Sequence, residues 1–449
     1  MAIPKSGPDP LLDLATFLEP FGRIVRRSES RVAMERYTTG LLSGVDRKNA
    51  SELGRSMPGT NGQRLQEFLT RTAWAPWSMD ELRLEYMRTY AAVDDGVLII
   101  DDTGFPKKGT ASVGVVRQYS GTLGRVDNCQ VLVTAHYVDR VFDWPVTARL
   151  YLPKSWAEDS ARRRGAQVPE SISFQTKGEI ALELVDLART ARVPFRVIVV
   201  DAGYGDQPVF LDGLVERKIP HVAAVSGAIR FRLAVEVDRD SGDGPPPPHS
   251  GRGRPKKAST IKTRIAPQEV ATIMDELPAE EWHRVAWRNG TKGPLVKEFA
   301  LVEVFRSGLR GEHLPVRGWL LGERPIGKAE RTEQRKYYFI WKLSELAVEN
   351  LVDLAHIRWV IERFYQDAKG ELGLDHYEGR LWSGFHRHVA LVMLAHSYLT
   401  LRQSYDLEFT DRPPPKGTKT NLGQDTPQVA RGFPPTGQKK HRRFTQGCT

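Results

Sequence analysis

Residues 195–206 read FRVIVVDAGYGD, a short β-branched apolar run that stops on an acid. A strand buried on both faces of a sheet has this pattern. Working outward, KGEIALELVDLARTA (177–191) spaces its apolar residues at three and four and predicts a helix. A second helix is expected near 207–217, and HVAAVS (221–226) predicts a last core strand. Upstream, GVLIID (96–101) repeats the apolar run closed by an acid. CQVLVTAHYVD and VFDWPVTARLYL, joined by a short turn near Asp139-Arg140, predict an antiparallel pair. Three strands, then helix, strand, helix and strand, give an α/β fold: a mixed sheet with helices packed on it.

On either side of this core the texture changes. Residues 10–90 predict several helices, with breaks near Gly44 and at Met57-Pro58-Gly59. Their basic edges (Arg47, Lys48, Arg55, Arg64) fit a DNA-binding module or a neutral helical cap equally well. From 227 to 349 the pattern is strand-rich and irregular (RVAWRNG, FALVEVFR, VRGWLLGER, KYYFIWKLS) and reads as an insertion. A single helix is expected over 350–372, NLVDLAHIRWVIERFYQDAKGEL, ending at Gly373. VALVMLAHSYLTLR predicts a final helix, with order stopping near Asp411. The division that follows is 1–92, 93–226, 227–349, 350–411 and a basic tail, 412–449.

Asp101, followed by Asp102, and Asp201 both close apolar strands. If those strands are parallel neighbours, two carboxylates stand close together at the sheet's carboxyl edge, where α/β proteins bind ligands. Like charges that close repel unless a cation holds both. Hard oxygen donors suit Mg²⁺ or Mn²⁺. Taken singly, each Asp is better explained as the cap of a strand or the start of a turn. On the long helix Arg358, Glu362, Tyr365 and Lys369 follow one another at spacings of four, three and four, so they share one face. That face is too polar for a core stripe. It is either a solvated, ion-paired surface or the wall of a site, with Glu362 as a third carboxylate and Arg358 and Lys369 as phosphate contacts.

IDDTGFPKKG (100–109), RQYSGTLGRVDNCQ (117–130), VVDAGYGD (199–206) and RWVIERFYQDAKGELGLDHYEGR (358–380) together resemble the DDE transposases of bacterial insertion sequences. The resemblance is to the insertion sequence 701 family, within the insertion sequence 4 group, and covers roughly residues 20–400. It implies an RNase H-like catalytic core interrupted by a mostly β insertion and preceded by a helical N-terminal domain. It makes Asp101, Asp201 and Glu362 the catalytic, metal-holding acids, with Asp102 as an alternative first ligand and two Mg²⁺ or Mn²⁺ ions as cofactors. The group's last-helix signature is matched by Arg358, Glu362 and Lys369, but Ala355 stands where a Tyr is expected; Tyr365 or His356 is the candidate substitute.

The implied function is a cut-and-paste transposase that binds terminal inverted repeats and performs metal-dependent cleavage and strand transfer. Its partners are double-stranded DNA, at the element ends and the target, and a second copy of the chain in the DNA complex. The alternatives are a domesticated or inactive DNA-binding relative and a nuclease without strand transfer. Lys107 and Lys108, just past the first acid, are expected to touch DNA backbone.

Composition is consistent with this. The 449 residues are 40% hydrophobic and 27% charged, which excludes a disordered or fibrous chain. No run approaches a membrane span. The opening residues lack a secretory pattern, and only two cysteines occur, so a reducing, cytoplasmic setting is expected, at the bacterial nucleoid when DNA is bound. The net charge is +10, and segments 412–449 and 242–260 carry +7 and +3 of it. The rest of the chain is therefore neutral. Both segments are either solubilising or polyanion-grasping, and Arg252 and Arg254 in GRGRPKK suit a narrow minor groove. Trp282, Trp287, Trp319 and Trp341 fit either core positions or a platform for a flipped base. His136, His376, His386 and His388 are expected to be structural or near phosphate rather than metal ligands.

Overall fold

The computed structural model describes residues 10–90, 96–121, 124–140, 142–240, 265–290, 293–306, 316–327 and 335–409. The linker 242–260, with Arg252 and Arg254, and the tail 412–449 lie outside the described residues. Five helices come first: α1 (Pro10–Leu18), α2 (Ser28–Leu41), α3 (Ala50–Ser56), α4 (Gly62–Thr70) and α5 (Pro76–Tyr90). Asn49 and Asn61 cap α3 and α4 through their side-chain oxygens. The next strands are β1 (Gly96–Pro106), β2 (Val116–Ser120), β3 (Arg125–Val138) and β4 (Asp143–Leu150). Then come α6 (Lys154–Ala157), α7 (Ser160–Gly165), α8 (Lys177–Thr190), β5 (Phe195–Val200), α9 (Ala202–Gly205), α10 (Pro208–Glu216) and β6 (His221–Val225). A capping box of Thr176 and Glu179 starts α8, and Pro208 opens α10.

The remaining elements are β7 (Arg230–Leu233), α11 (Ala234–Asp240), β8 (Gln268–Glu269), α12 (Val270–Asp275), β9 (His283–Gly290), β10 (Gly293–Arg306), β11 (Val316–Arg324) and β12 (Lys336–Trp341). Three helices follow: α13 (Val348–His356), α14 (Trp359–Gly370) and α15 (Trp382–Phe409). The twelve strands of the described residues join one mixed sheet in the order β2-β3-β1-β5-β6-β12-β11-β10-β7-β8, with β4 on β3 and β9 on β10. β1, β5 and β6 are parallel neighbours, and β3 and β12 run antiparallel beside them. The strand-rich segment after residue 227 therefore extends the core sheet through β12 rather than forming a second one.

Alternate residues of the central strands enter two apolar layers. Val97, Ile99, Val197, Val199, Val222 and Ile340 face α13–α15 and the first helices. Leu98, Ile100, Ile198, Val200 and Ala223 face α8, α10 and α12. Burial on both faces is why these strands read as unbroken apolar runs. The first helices share the former layer, since Tyr37, Leu65 and Trp74 lie in one cluster with Ile99, Val360 and Leu391. Tyr37 hydrogen-bonds His388 of α15 at 2.8 Å, and buried Arg83 donates to the carbonyls of Pro145 and Val146.

Two expectations need correction. Asp101 does not close its strand: β1 continues to Pro106 along β3, and only the parallel pairing with β5 stops at Ile100. The helix expected over 350–372 is two. At Val360 and Ile361 the amides bond three residues back, to Ile357 and Arg358, so the α-ladder is interrupted. No Gly or Pro marks this break, and the apolar spacing runs through it, so periodicity alone could not reveal it.

Candidate active site

The register places the first two acids. Ile100 pairs with Val200 across the parallel strands, so Asp101 and Asp201 follow at adjacent positions. Asp201 caps α9, accepting the Tyr204 amide at 3.3 Å. Gly205 ends this turn where a β-carbon would lie 1.8 Å from the Ala224 carbonyl oxygen, so only glycine lets the turn sit against β6. Asp101 is 6% exposed and accepts the Asp102 amide at 2.8 Å.

α14 packs over this edge. Arg358 stands just before its first turn and forks between two carboxylates: Nη1 donates to Asp101 Oδ2 at 2.7 Å, Nη2 to Glu362 Oε1 at 2.5 Å. One guanidinium thus joins the first and third expected acids. Tyr365 is buried and shares a short hydrogen bond with Thr134, the residue opposite Asp101 on β3. Lys369 donates to the Gly104 carbonyl at 3.1 Å, over the Phe105 ring. Of the face shared by these four residues, Arg358, Tyr365 and Lys369 turn onto β1 and β3, while Glu362 stays exposed at its edge.

Three negative charges meet one positive. Burial pushes Asp101 up to about 7, against the pull of Arg358 and with added repulsion from Asp201 and Asp102. Burial also raises Asp201, again opposed by Arg358 and aided by Asp102. Asp102 itself leaves on the other face, where Lys177 reaches it at 3.0 Å and the Tyr204 hydroxyl at 3.5 Å. Of the two candidate first acids, Asp101 is therefore the one linked to Glu362. Among the described residues no three acidic, His or Cys side chains already converge on one point. The donor set nonetheless suits hard cations, being all carboxylate oxygen with charge left over after Arg358.

The opposite flank of α14 carries a second cluster. Arg363 donates to Asp143 Oδ2 at 2.7 Å, and Oδ1 of the same carboxylate meets His136 Nε2 at 3.0 Å. The His136 ring lies 4.8 Å from Phe364. Sequence reading missed this brace, as it missed Thr134, Lys177 and Tyr204, which are distant in sequence and carry no spacing signal.

Other expected contacts are placed differently. Lys107 is tucked inward, donating to the carbonyls of Tyr377 and Asp375 at 2.8 and 3.3 Å, while Lys108 is exposed. Burial lowers the pKa of Lys107 and of Lys369. Tyr365 is buried with its hydroxyl on Thr134, and Ala355 is buried too. His356 bonds Glu323 at 2.8 Å and lies edge-on to Trp287 at 4.4 Å. His376, His386 and His388 are all held by backbone groups. Trp282 is buried beneath Arg324, and Trp341 stacks on His221; Trp287 and Trp319 are half-buried.

Comparison with known proteins adds two findings. The family model described as DDE superfamily endonuclease matches residues 17–294. A relative described as a probable transposase for insertion sequence element IS701, from Microchaete diplosiphon, is 29% identical over 187 residues. That match spans 41% of this chain and 46% of the relative's length. Asp101 and Asp201 fall inside the family match, and Glu362 lies beyond it. Among the described residues no helix is long and apolar enough to cross a membrane.

Proposed function

The chain belongs to the DDE superfamily endonucleases, and on that premise we propose that it is the transposase of an insertion sequence, cutting DNA at the element's ends and joining them to a target. The observation that carries the reading is the fork of Arg358 between Asp101 and Glu362, with Asp201 at the adjacent strand position. Two acids at adjacent strand positions and a third tied to the first through Arg358 would suit phosphodiester displacement. The resemblance to a probable IS701 transposase supports strand transfer beyond cutting.

Asp101, Asp201 and Glu362 would hold divalent cations, two of them in this reading. Such ions would supply activation of water or a DNA 3′-OH and stabilisation of the departing oxygen. The protein's own part is positional. Arg358, which spans Asp101 and Glu362, would offer its remaining N–H donors to a phosphate. Thr134 and Tyr365 fix α14 against β3 so that Glu362 stays over the strands.

The core is read as RNase H-like. The order β4-β3-β1-β5-β6, with β3 antiparallel and the last three parallel, supports this. The proposed division is a helical N-terminal unit over 1–92, a core of 93–226 and 350–411, and an inserted segment, 227–349. The working form is a homodimer on double-stranded DNA, acting in the bacterial cytoplasm. The test is Mg²⁺-dependent cleavage of a plasmid carrying the element's own ends. Joined ends are the expected product; nicks alone indicate a nuclease, and binding without cutting a domesticated relative.

A further inference from the structure

The ribbon made by β2 and the start of β3 takes no part in the chemistry above. Its register sets Tyr119 opposite Val126 and Arg117 opposite Asn128. Tyr119 and Val126 are 61% and 54% exposed, although an aromatic–aliphatic cross-strand pair ordinarily packs against something. The even-numbered residues of β3 share one face: Thr134 stands opposite Asp101, Leu132 lies in the apolar layer that also holds Val360 and Phe364 of α14, and Val126 continues the row. Tyr119 and Arg117, as cross-strand partners of that row, lie on the same face as Asp101.

The ribbon is braced from within. Asn128 donates to the carbonyls of Lys107 and Gly109, Gln118 to Cys129 at 2.9 Å, and Gln130 to Val113 at 2.7 Å. It is also basic. Residues 107–128 hold Lys107, Lys108, Arg117 and Arg125 against the single acid Asp127, a net +3 in a chain that is neutral outside its two basic segments. Arg125 is spent on Asp127 at 2.9 Å, while Arg117 and Lys108 are exposed. Val126 lies eight residues along β3 from Thr134, which at ~3.3 Å per residue is on the order of 25 Å.

We propose that this ribbon is a second contact for duplex DNA, holding the flank of the substrate whose scissile phosphate lies at the carboxylates; the inference rests on the DNA-cutting reading of that site. A two-stranded ribbon fits the major groove. Tyr119 and Val126 would press on sugars and base edges there, with Arg117 and Lys108 on the phosphates that border it. The excess of positive charge and the face shared with Asp101 favour DNA over a protein partner.

The test uses the full chain and labelled duplexes containing the element's end, with the wild type measured first. Replacing both apolar residues (Tyr119→Ala, Val126→Ala) should weaken binding roughly tenfold. Arg117→Ala should reduce the logarithmic salt slope by about 0.9. A photo-crosslinking amino acid at position 119 should attach to DNA within one helical turn of the cut. All these side chains are exposed, so unfolding temperatures should not change. Unaltered affinity and slope with no cross-link, in a wild type that binds and cuts, overturns the ribbon's role alone. A wild type that neither binds nor cuts overturns the functional reading and this inference together. Lost self-association in sedimentation, with DNA affinity per protomer intact, assigns the ribbon to a second copy of the chain and overturns the DNA contact.

Discussion

Helix α14 presents an arginine to a largely buried aspartate on each of two flanks, and the outcomes are opposite. On one flank Asp143 is also raised by burial, but the His136 hydrogen bond and the charges of His136, His396 and Arg363 outweigh it and hold the carboxyl below its ordinary range. On the other flank Arg358 divides its fork between Asp101 and Glu362, and burial together with the charges of Asp201 and Asp102 leaves Asp101 titrating near 7. The first cluster is electrostatically satisfied and fixes the helix. The second is short of positive charge, which is the condition a cation or a phosphate-bearing substrate with its cations would relieve. The same residue types thus brace the fold where the charges close and leave unbalanced negative charge, the mark of a candidate site, where they do not.

The largest expected effect separates the two flanks by activity. Glu362→Gln keeps the side chain's shape and removes a charge that the proposed metal site needs. Cleavage should fall by at least about a thousandfold while binding of element ends persists, since phosphate contacts dominate affinity. Parallel loss of binding would mean that Glu362 serves the fold.

Stability should separate them next. Asp143→Asn breaks a closed buried cluster and should cost roughly 3 kcal/mol in urea unfolding. Because the Asp143 carboxyl is held low, that contribution is present at neutral pH and is lost only as pH falls below the ordinary carboxylate range. A negligible cost would show that α14 is held by apolar packing alone.

Asp101→Asn should do the reverse and stabilise the metal-free protein by on the order of 2 kcal/mol at pH 8. The sign follows from the raised pKa. Between pH 4 and about 7 the unfolded carboxyl ionises while the folded one keeps its proton, so the wild type loses stability across that window. The variant's advantage should therefore vanish near pH 4, and an advantage independent of pH would contradict the account.

The smallest effect is that of the metal itself. At ten times its Kd, Mg²⁺ or Mn²⁺ should stabilise the wild type by about 1.4 kcal/mol. It should do little for the Asp101→Asn and Glu362→Gln variants, and differential scanning calorimetry would show it. Equal shifts in all three would place the ion elsewhere.

Much of this contrast was written in the sequence, though unevenly. The apolar runs before Asp101 and Asp201 and the spacing of Arg358, Glu362, Tyr365 and Lys369 are local patterns, and local patterns are what periodicity reports. What stayed hidden depends on contacts between distant segments. Tyr365, a candidate substitute for the Tyr missing at Ala355, meets Thr134, 231 positions away. Lys107 was expected on DNA and instead satisfies carbonyls after α14. The helix break before Trp359 carries no Gly or Pro, and it coincides with the residue whose guanidinium joins Asp101 and Glu362. The strand β2 lies in a polar stretch without alternation, so only its pairing with β3 reveals it.

The order of elements along the chain has a consequence for synthesis. Glu362 lies on α14, after β12, and β12 reaches the core only by pairing with β6. A nascent chain that has already exposed Asp101 and Asp201 still lacks its third acid and the guanidinium that links it to the first. Such long-range assembly is slow compared with local helix formation. The fork that ties Glu362 to Asp101 can therefore form only after α14 has been made and packed, and a product truncated before residue 358 would carry Asp101 and Asp201 without it.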